Sequence, residues 1–176
     1  MESKRLPGKP LLDINGKSMI QRVYESSINC KNLDDLIIAT PNDEIVSHVK
    51  EFNGNVLKTT DKPINGTERV YEAVEKMNKK YDFIINIQGD EPFIKTEQIN
   101  DLIKICVKPN EICTLIKNET YSKELTQDSV MKVVKNINNE ALYFSRSLIP
   151  SGNPDQYYRH ICICLLYTSP SPRDRL

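Results

Sequence analysis

The sequence predicts an α/β protein with a doubly wound, mostly parallel sheet, and two observations support this prediction. Short apolar runs rich in Ile, such as residues 36–40 and 83–87, alternate with segments whose apolar residues recur every three or four positions. Turn residues end each apolar run abruptly, as is typical of strands buried on both faces of a parallel sheet. Sheets of this class bind ligands beyond the carboxyl ends of their strands.

The first half of the chain carries the clearest elements. Residues 11–14 followed by Asn15-Gly16 predict a short extended segment closed by a tight turn, because Asn and Gly tolerate positive φ. Apolar periodicity then predicts helices and strands in strict alternation. In order they are a helix over about 19–28, a strand over 36–40, a helix ended by Gly54, a strand over 55–58, a helix from about Glu68 to Lys80, a strand over 83–87 and a helix reaching Cys106.

Shorter strands are predicted in the second half, over 113–116, 130–135 and 141–144. Residues 164–176 are rich in Pro and Ser, have no periodicity and resemble a translated sequencing adapter. The sequence therefore predicts one partial domain over 1–163 and a non-native tail over 164–176.

Composition excludes several classes of function. The 24 basic and 24 acidic residues give zero net charge, so neither nucleic acid nor an anionic membrane is an expected partner. The sequence has no apolar run of the length that spans a bilayer, and a cytoplasmic location is expected. Five cysteines without a CxxC pair indicate reduced thiols rather than a zinc site.

The segment from Arg5 to Pro10 is a candidate phosphate loop. Arg5 and Lys9 stand four residues apart around a Pro-Gly turn, and Gly8 leaves room for a ligand to reach the backbone. The spacing matches neither a P-loop nor a dinucleotide-binding fingerprint. Two interpretations remain at this point: a clamp for a triphosphate, or a basic loop in solvent.

Gln88-Gly89-Asp90-Glu91-Pro92 ends the strongest predicted strand. Magnesium binds to one or two carboxylates together with substrate phosphates, so Asp90 is a candidate Mg²⁺ ligand. The alternative is that Asp90 caps a turn and Glu91 lies in solvent.

A predicted helix begins with the segment Asn65-Gly66-Thr67-Glu68-Arg69. The first N–H groups of this helix could bind an anion or a polar base. The alternative is that Thr67 only caps the helix. Arginine is rare beside lysine here, yet it recurs in the candidate segments. Since its planar fork binds phosphate or carboxylate bidentately, its positions suggest anion recognition.

Four segments together resemble the 3-deoxy-manno-octulosonate cytidylyltransferase family, which makes CMP-Kdo for lipopolysaccharide synthesis. They are 5–11, 66–69, 86–92 and 141–146, joined by Arg159-His160, and the resemblance extends over residues 2–163. It implies a nucleotide-sugar transferase sheet of Rossmann-like type. It also implies attack of the Kdo anomeric hydroxyl on the α-phosphate of CTP, with release of pyrophosphate and assistance by Mg²⁺.

The resemblance also implies roles for individual residues. Lys9 and Asp90 are expected to act in catalysis, with Asp90 as the metal ligand. The nucleotide is expected to contact Arg5, Gly8, Gly66 and Arg69. The sugar acid is expected to contact Gln88, Arg146 and His160. A homodimer is expected, with the strand near Tyr143 and Phe144 in the supporting region.

The sequence departs from the family at both ends. The family's first strand, which lies in the middle of the sheet, has no counterpart, and the family continues for dozens of residues after His160. We therefore expect an incomplete sheet that folds poorly. Two alternatives remain: a related nucleotidyltransferase with another sugar, or an inactive fragment that acts at most as a nucleotide-binding module.

Overall fold

The computed structural model describes residues 8–105, 112–152 and 154–167. Arg5 and Cys106 lie outside these residues. The chain divides into two compact units, Met1–Cys113 with Cys164–Leu176, and Thr114–Ile163. Among the helices described, none has the length and apolar character needed to cross a membrane.

The first unit alternates strands and helices, which confirms the α/β prediction. A 3-10 helix, Lys9–Leu11, precedes the regular elements. These are β1 (Asp13–Ile14), β2 (Lys17–Ser18), α1 (Met19–Ile28), β3 (Ile38–Thr40), α2 (Asp43–Glu51), β4 (Val56–Lys58), α3 (Gly66–Met77), β5 (Phe83–Ile87) and α4 (Thr96–Ile105).

Local chemistry sets the early boundaries. Asn15 and Gly16 have φ values of 50° and 80° and join β1 to β2 as the predicted tight turn. Helix α1 begins where Ser18 Oγ accepts a hydrogen bond from the Gln21 N–H. Asn42 caps α2 in the same way. Short polar side chains thus satisfy N–H groups that have no partner within the helix.

Helix α3 begins two residues earlier than predicted. Asn65, rather than Thr67, is its N-cap, because Asn65 Oδ1 accepts from the Glu68 N–H at 2.9 Å. A second hydrogen bond joins the same two residues, since the Glu68 carboxylate accepts from Asn65 Nδ2 at 3.0 Å. The helix ends at Met77 instead of Lys80, since Asn78 takes a left-handed conformation with φ 51°.

Strands β3 and β5 belong to different sheets. β3 pairs in parallel with β4, with Ile38 opposite Val56, whereas β5 pairs with β9 (Tyr157–Tyr167). An apolar cavity of about 250 Å³ is lined by residues of both β3 and β5 and by the face of α3. Ala39 lines this cavity and is half-buried, as is Ile38 before it, although the sequence predicts a strand covered on both faces.

Antiparallel pairing, which the sequence analysis did not predict, dominates the second unit. This unit contains β6 (Cys113–Glu119) from Thr114 onward, a 3-10 helix (Lys123–Thr126), β7 (Lys132–Lys135), β8 (Ala141–Ser145) and β9 up to Ile163. β7 pairs antiparallel with both β8 and β9. β9 was not predicted as a strand, and it includes residues 164–167 of the predicted tail.

Candidate functional site

The loop after β5 brings two predicted site residues together. The Glu91 N–H donates to the Gln88 carbonyl at 3.2 Å and closes a turn directly beyond the strand. On this turn Asp90 Oδ2 accepts from Lys9 Nζ at 2.7 Å. The side chains of Lys9 and Asp90 are 33% and 50% exposed, so both can be reached by a ligand. Residues 81 positions apart thus form one charged pair.

Gly8 positions Lys9. Its φ of 71° lies in the left-handed region, which glycine adopts without strain. The Gly8 carbonyl then accepts from the Leu11 N–H at 2.9 Å, which closes the 3-10 helix that begins at Lys9. A side chain at position 8 would strain this turn, because other residues rarely adopt this backbone conformation.

Gly66 allows a close approach between the start of α3 and the loop after β5. A Cβ atom at position 66 would lie 3.3 Å from Gln88 Nε2, closer than an ordinary contact. The Gln88 amide therefore packs against the first turn of α3, and the structure brings together Gly66 and Gln88 as well as Lys9 and Asp90.

The Arg69 guanidinium contacts the preceding segment of the chain. Nη1 donates to Thr59 Oγ1 at 2.7 Å and to the Thr60 carbonyl at 3.0 Å, and Nη2 lies 3.5 Å from the Pro63 carbonyl. Thr59 is only 4% exposed. Arg69 therefore braces residues 59–63 against α3, a structural role that the sequence analysis did not predict.

Asp90 suits a magnesium ion that is shared with substrate phosphates. Its carboxylate already accepts one cation, the Lys9 ammonium, at 2.7 Å. The described residues contain no cluster of three or more His, Cys, Asp or Glu side chains that could enclose a metal. A single accessible carboxylate matches the way magnesium binds when phosphates supply most of its ligands.

In the second unit, Arg146 follows β8 and is exposed. Its Nη1 donates to the Asp128 carbonyl at 2.6 Å. This contact is the one hydrogen bond of the guanidinium among the described residues, so its other N–H groups can meet a carboxylate. Asp128 thereby orients a side chain that the sequence predicts to bind the sugar acid.

His160 lies on β9 and is held by Thr114. Thr114 Oγ1 donates to the Ile163 carbonyl at 2.7 Å, so it accepts from His160 Nε2, at 2.8 Å. Neutral His160 therefore carries its proton on Nε2. The Phe144 ring meets the imidazole edge to face, with centroids 5.3 Å apart. Burial lowers the pKa of His160, which favours the neutral ring.

Sequence reasoning missed two further polar residues. His48 Nε2 lies 2.7 Å from Ser18 Oγ, so it links α2 to the cap of α1. Lys132 has no exposed surface, although it is charged. The contact of His48 with Ser18 joins residues 30 positions apart, and Lys132 binds backbone carbonyls, so neither arrangement has a local sequence signal.

The chain is similar throughout to known cytidylyltransferases. The cytidylyltransferase family model matches residues 1–168. A 3-deoxy-manno-octulosonate cytidylyltransferase of Parabacteroides distasonis is 49% identical over 174 residues, covering 90% of this chain and 68% of that protein. A protein of the same name from Cytophaga hutchinsonii is 46% identical, covering 84% of this chain and 59% of the relative. The chain thus spans between 59% and 68% of these two relatives.

Solved structures give the same result. The structure of CMP:2-keto-3-deoxy-manno-octonic acid synthetase complexed with CTP has a TM-score of 0.81 and 34% identity. The match covers 95% of this chain and 70% of the chain in that structure. 4-Diphosphocytidyl-2C-methyl-D-erythritol synthase from Anaerococcus prevotii, with a TM-score of 0.57 and 12% identity, shares the fold alone.

Proposed function

The chain belongs to the 3-deoxy-manno-octulosonate cytidylyltransferase family, and from this premise we propose that the protein transfers CMP from CTP to 3-deoxy-D-manno-octulosonate (Kdo). The products are CMP-Kdo and pyrophosphate, and the proposed role is lipopolysaccharide biosynthesis in the cytoplasm.

The contact between Lys9 and Asp90 supports this proposal most directly. It joins a cation and a carboxylate, 2.7 Å apart, directly beyond the carboxyl end of β5. Ligands of doubly wound sheets bind at such ends. A nucleoside triphosphate that arrives with a divalent cation needs both groups, because the ammonium attracts phosphate oxygens and the carboxylate attracts the metal.

In the proposed reaction the anomeric hydroxyl oxygen of Kdo attacks the α-phosphorus of CTP. The new bond forms as the bond from the α-phosphorus to the oxygen bridging the α- and β-phosphates breaks. Pyrophosphate leaves with that electron pair, and the hydroxyl proton is released. Mg²⁺ bound at Asp90 would neutralise charge on the phosphates. Lys9 and Arg5 bind and orient the triphosphate, so the rate comes mainly from positioning and charge neutralisation.

The other predicted residues bind the substrates or support their binding sites in this proposal. Gly66 allows the start of α3 to approach the nucleotide, and Arg69 supports that site by bracing residues 59–63. Gln88, Arg146 and His160 bind the sugar acid. The Arg146 guanidinium suits the Kdo carboxylate, since its planar fork can donate two parallel hydrogen bonds.

A pyrophosphate-release assay with CTP, Kdo and Mg²⁺ tests the proposal. Because the chain spans 59% of the Cytophaga relative, the assay compares it with a version extended to the length of its relatives. Asp90→Asn should abolish release, whereas Asp101→Asn, an exposed carboxylate on α4, should leave it unchanged. Equal release with and without Kdo, or from CTP and UTP alike, would contradict the assignment. CTP binding by the 176-residue chain without turnover would favour a nucleotide-binding module.

We also infer a homodimer that uses β8. This strand is the last in its sheet order, and Leu142 and Tyr143 are each 64% exposed on it. Edge strands with exposed apolar side chains are a common site of pairing between chains. Light scattering should give twice the chain mass, and Tyr143→Lys should give a monomer. Tyr71→Lys, at a tyrosine on α3 that is 67% exposed, is the matched control and should stay dimeric.

A further inference from the structure

Lys132 is a fully buried lysine whose ammonium makes no ion pair among the described residues. It lies at the start of β7 and has 0% exposure. Burying a charge is unfavourable unless its hydrogen bonds are replaced, so this residue requires an explanation. Burial lowers the pKa of Lys132, while the nearby Asp128 carboxylate acts in the opposite direction.

Three backbone carbonyls surround the ammonium. Nζ donates to the Val130 carbonyl at 2.8 Å, to the Gln127 carbonyl at 3.3 Å and to the Arg146 carbonyl. An ammonium carries its N–H groups in a compact tetrahedral arrangement, which suits three carbonyls that converge from different directions. Lys132 thus joins the turn before β7 to the residue that follows β8.

The same turn holds the Arg146 guanidinium. Asp128 lies between the two turn carbonyls that Lys132 binds, and its own carbonyl accepts from Arg146 Nη1 at 2.6 Å. The turn is closed by the Val130 N–H, which donates to the Gln127 carbonyl at 3.1 Å. Lys132 therefore binds the Arg146 backbone carbonyl directly, and it also binds the turn whose Asp128 carbonyl accepts from the Arg146 guanidinium.

We propose that Lys132 is a positioning residue for Arg146 and, through it, for the carboxylate of the sugar acid. The proposal deepens the proposed function and rests on it for the identity of the ligand. Lys132 touches no substrate. It fixes the distance between the Arg146 backbone and the Asp128 carbonyl, so the guanidinium presents its remaining N–H groups in one orientation. Preorganised donors bind a carboxylate more tightly than mobile ones, because less freedom is lost on binding.

The first test measures Arg146 itself and requires no substrate. The ¹H–¹⁵N heteronuclear NOE of Arg146 Nε–H, assigned by its loss in Arg146→Lys, reports the order of the guanidinium. In Lys132→Met the heteronuclear NOE of Arg146 Nε–H should fall towards the value of a mobile arginine side chain. Lys135→Met is the matched control, since Lys135 is on the same strand but contacts Asn139 and the Tyr158 ring instead. An unchanged NOE in Lys132→Met would overturn the proposal.

The second test uses the kinetics of the version extended to the length of its relatives. Lys132→Met should raise KM for Kdo about 10-fold and change KM for CTP less than about 2-fold, because the nucleotide residues are in the other unit. In an Arg146→Lys background the effect of Lys132→Met on KM for Kdo should disappear, whereas an equal effect in both backgrounds would overturn the proposal.

If Lys132→Met does not fold, Lys132→Gln, which keeps amide N–H donors, takes its place in both tests. If wild-type protein does not use Kdo, the proposed function fails, and the NOE comparison still decides whether Lys132 orders Arg146.

Discussion

Replacing Arg69 by methionine should destabilise the protein even when no nucleotide is bound. The family resemblance implies that Arg69 contacts the nucleotide, and in the structure its guanidinium donates to Thr59 Oγ1 at 2.7 Å and to the Thr60 carbonyl at 3.0 Å. Methionine retains much of the apolar stem and removes these donors. The variant therefore separates bracing of residues 59–63 from direct binding of a ligand.

The size of the effect follows from the contacts. A hydrogen bond from a charged group contributes about 1.5–3 kcal/mol, and the Thr59 hydroxyl, 4% exposed, would lose its donor. Water can replace part of the bond to Thr60, which is exposed. We expect a loss of about 2–3 kcal/mol in the free energy of unfolding. With a urea slope of about 2 kcal/mol per molar, the midpoint should fall by about 1–1.5 M.

Urea unfolding followed by far-UV circular dichroism, without nucleotide, measures this shift. Arg69→Lys should fall between the wild type and Arg69→Met, because one ammonium can replace part of the fork. Lys80→Met removes an exposed cation just beyond α3 and should leave the midpoint unchanged. An Arg69→Met midpoint within about 0.2 M of wild type, combined with weaker CTP binding, would refute the bracing role and support direct contact with the nucleotide.

Three further outcomes are expected. Lys9→Met should raise the affinity of Asp90 for Mn²⁺ by about 2- to 5-fold in electron paramagnetic resonance titrations, since a partly exposed ion pair contributes at most about 1 kcal/mol. The same variant should bind CTP more weakly. An unchanged Mn²⁺ affinity would contradict the expected competition between Lys9 and the metal for Asp90. The Lys76 and Thr60 contacts lower the pKa of Glu72 to about 2 from 4.5, so the unfolded chain takes up the proton first. The free energy of unfolding should therefore decline as pH falls from 4.5 towards 2, and the decline should be smaller in Glu72→Gln than in wild type. Equal declines in the two proteins would contradict the assignment of this pH dependence to Glu72. Ala73→Leu should fill part of the apolar cavity and raise the thermal midpoint, gaining about 0.5–2 kcal/mol; a lower midpoint would show that the cavity cannot take the added methyl groups.

Elements with local signals were predictable from the sequence. Apolar periodicity located α1 and α4, and the Asn15-Gly16 pair located the first turn, because these features depend on neighbouring residues alone. Helix α3 was shifted because two residues, Asn65 and Thr67, could each serve as the cap. Only the contact between Asn65 and the Glu68 N–H distinguishes them.

Features that depend on distant partners were not predictable. β9 lacks clear alternation, and it is specified by pairing with β7, where Arg159 lies opposite Lys132. Lys132 resembles any polar residue of a half-exposed strand, and its burial depends on carbonyls from two separate segments. Lys9 and Asp90 were assigned to one site only because both segments resemble one family, and the direct contact between their side chains was not predicted.

In the proposed function, the pair of Lys9 and Asp90 explains how one small site can accept a highly charged ligand. Breaking an ion pair exposed to this extent requires about 0–1 kcal/mol, because water solvates both groups as they separate. A triphosphate then gives Lys9 several phosphate oxygens, and a divalent cation gives Asp90 a stronger partner than an ammonium. In the proposed function, binding is therefore an exchange of partners in which each charge remains neutralised. The same exchange makes nucleotide and metal bind cooperatively, since either one, by releasing Lys9 from Asp90, prepares the group that the other needs.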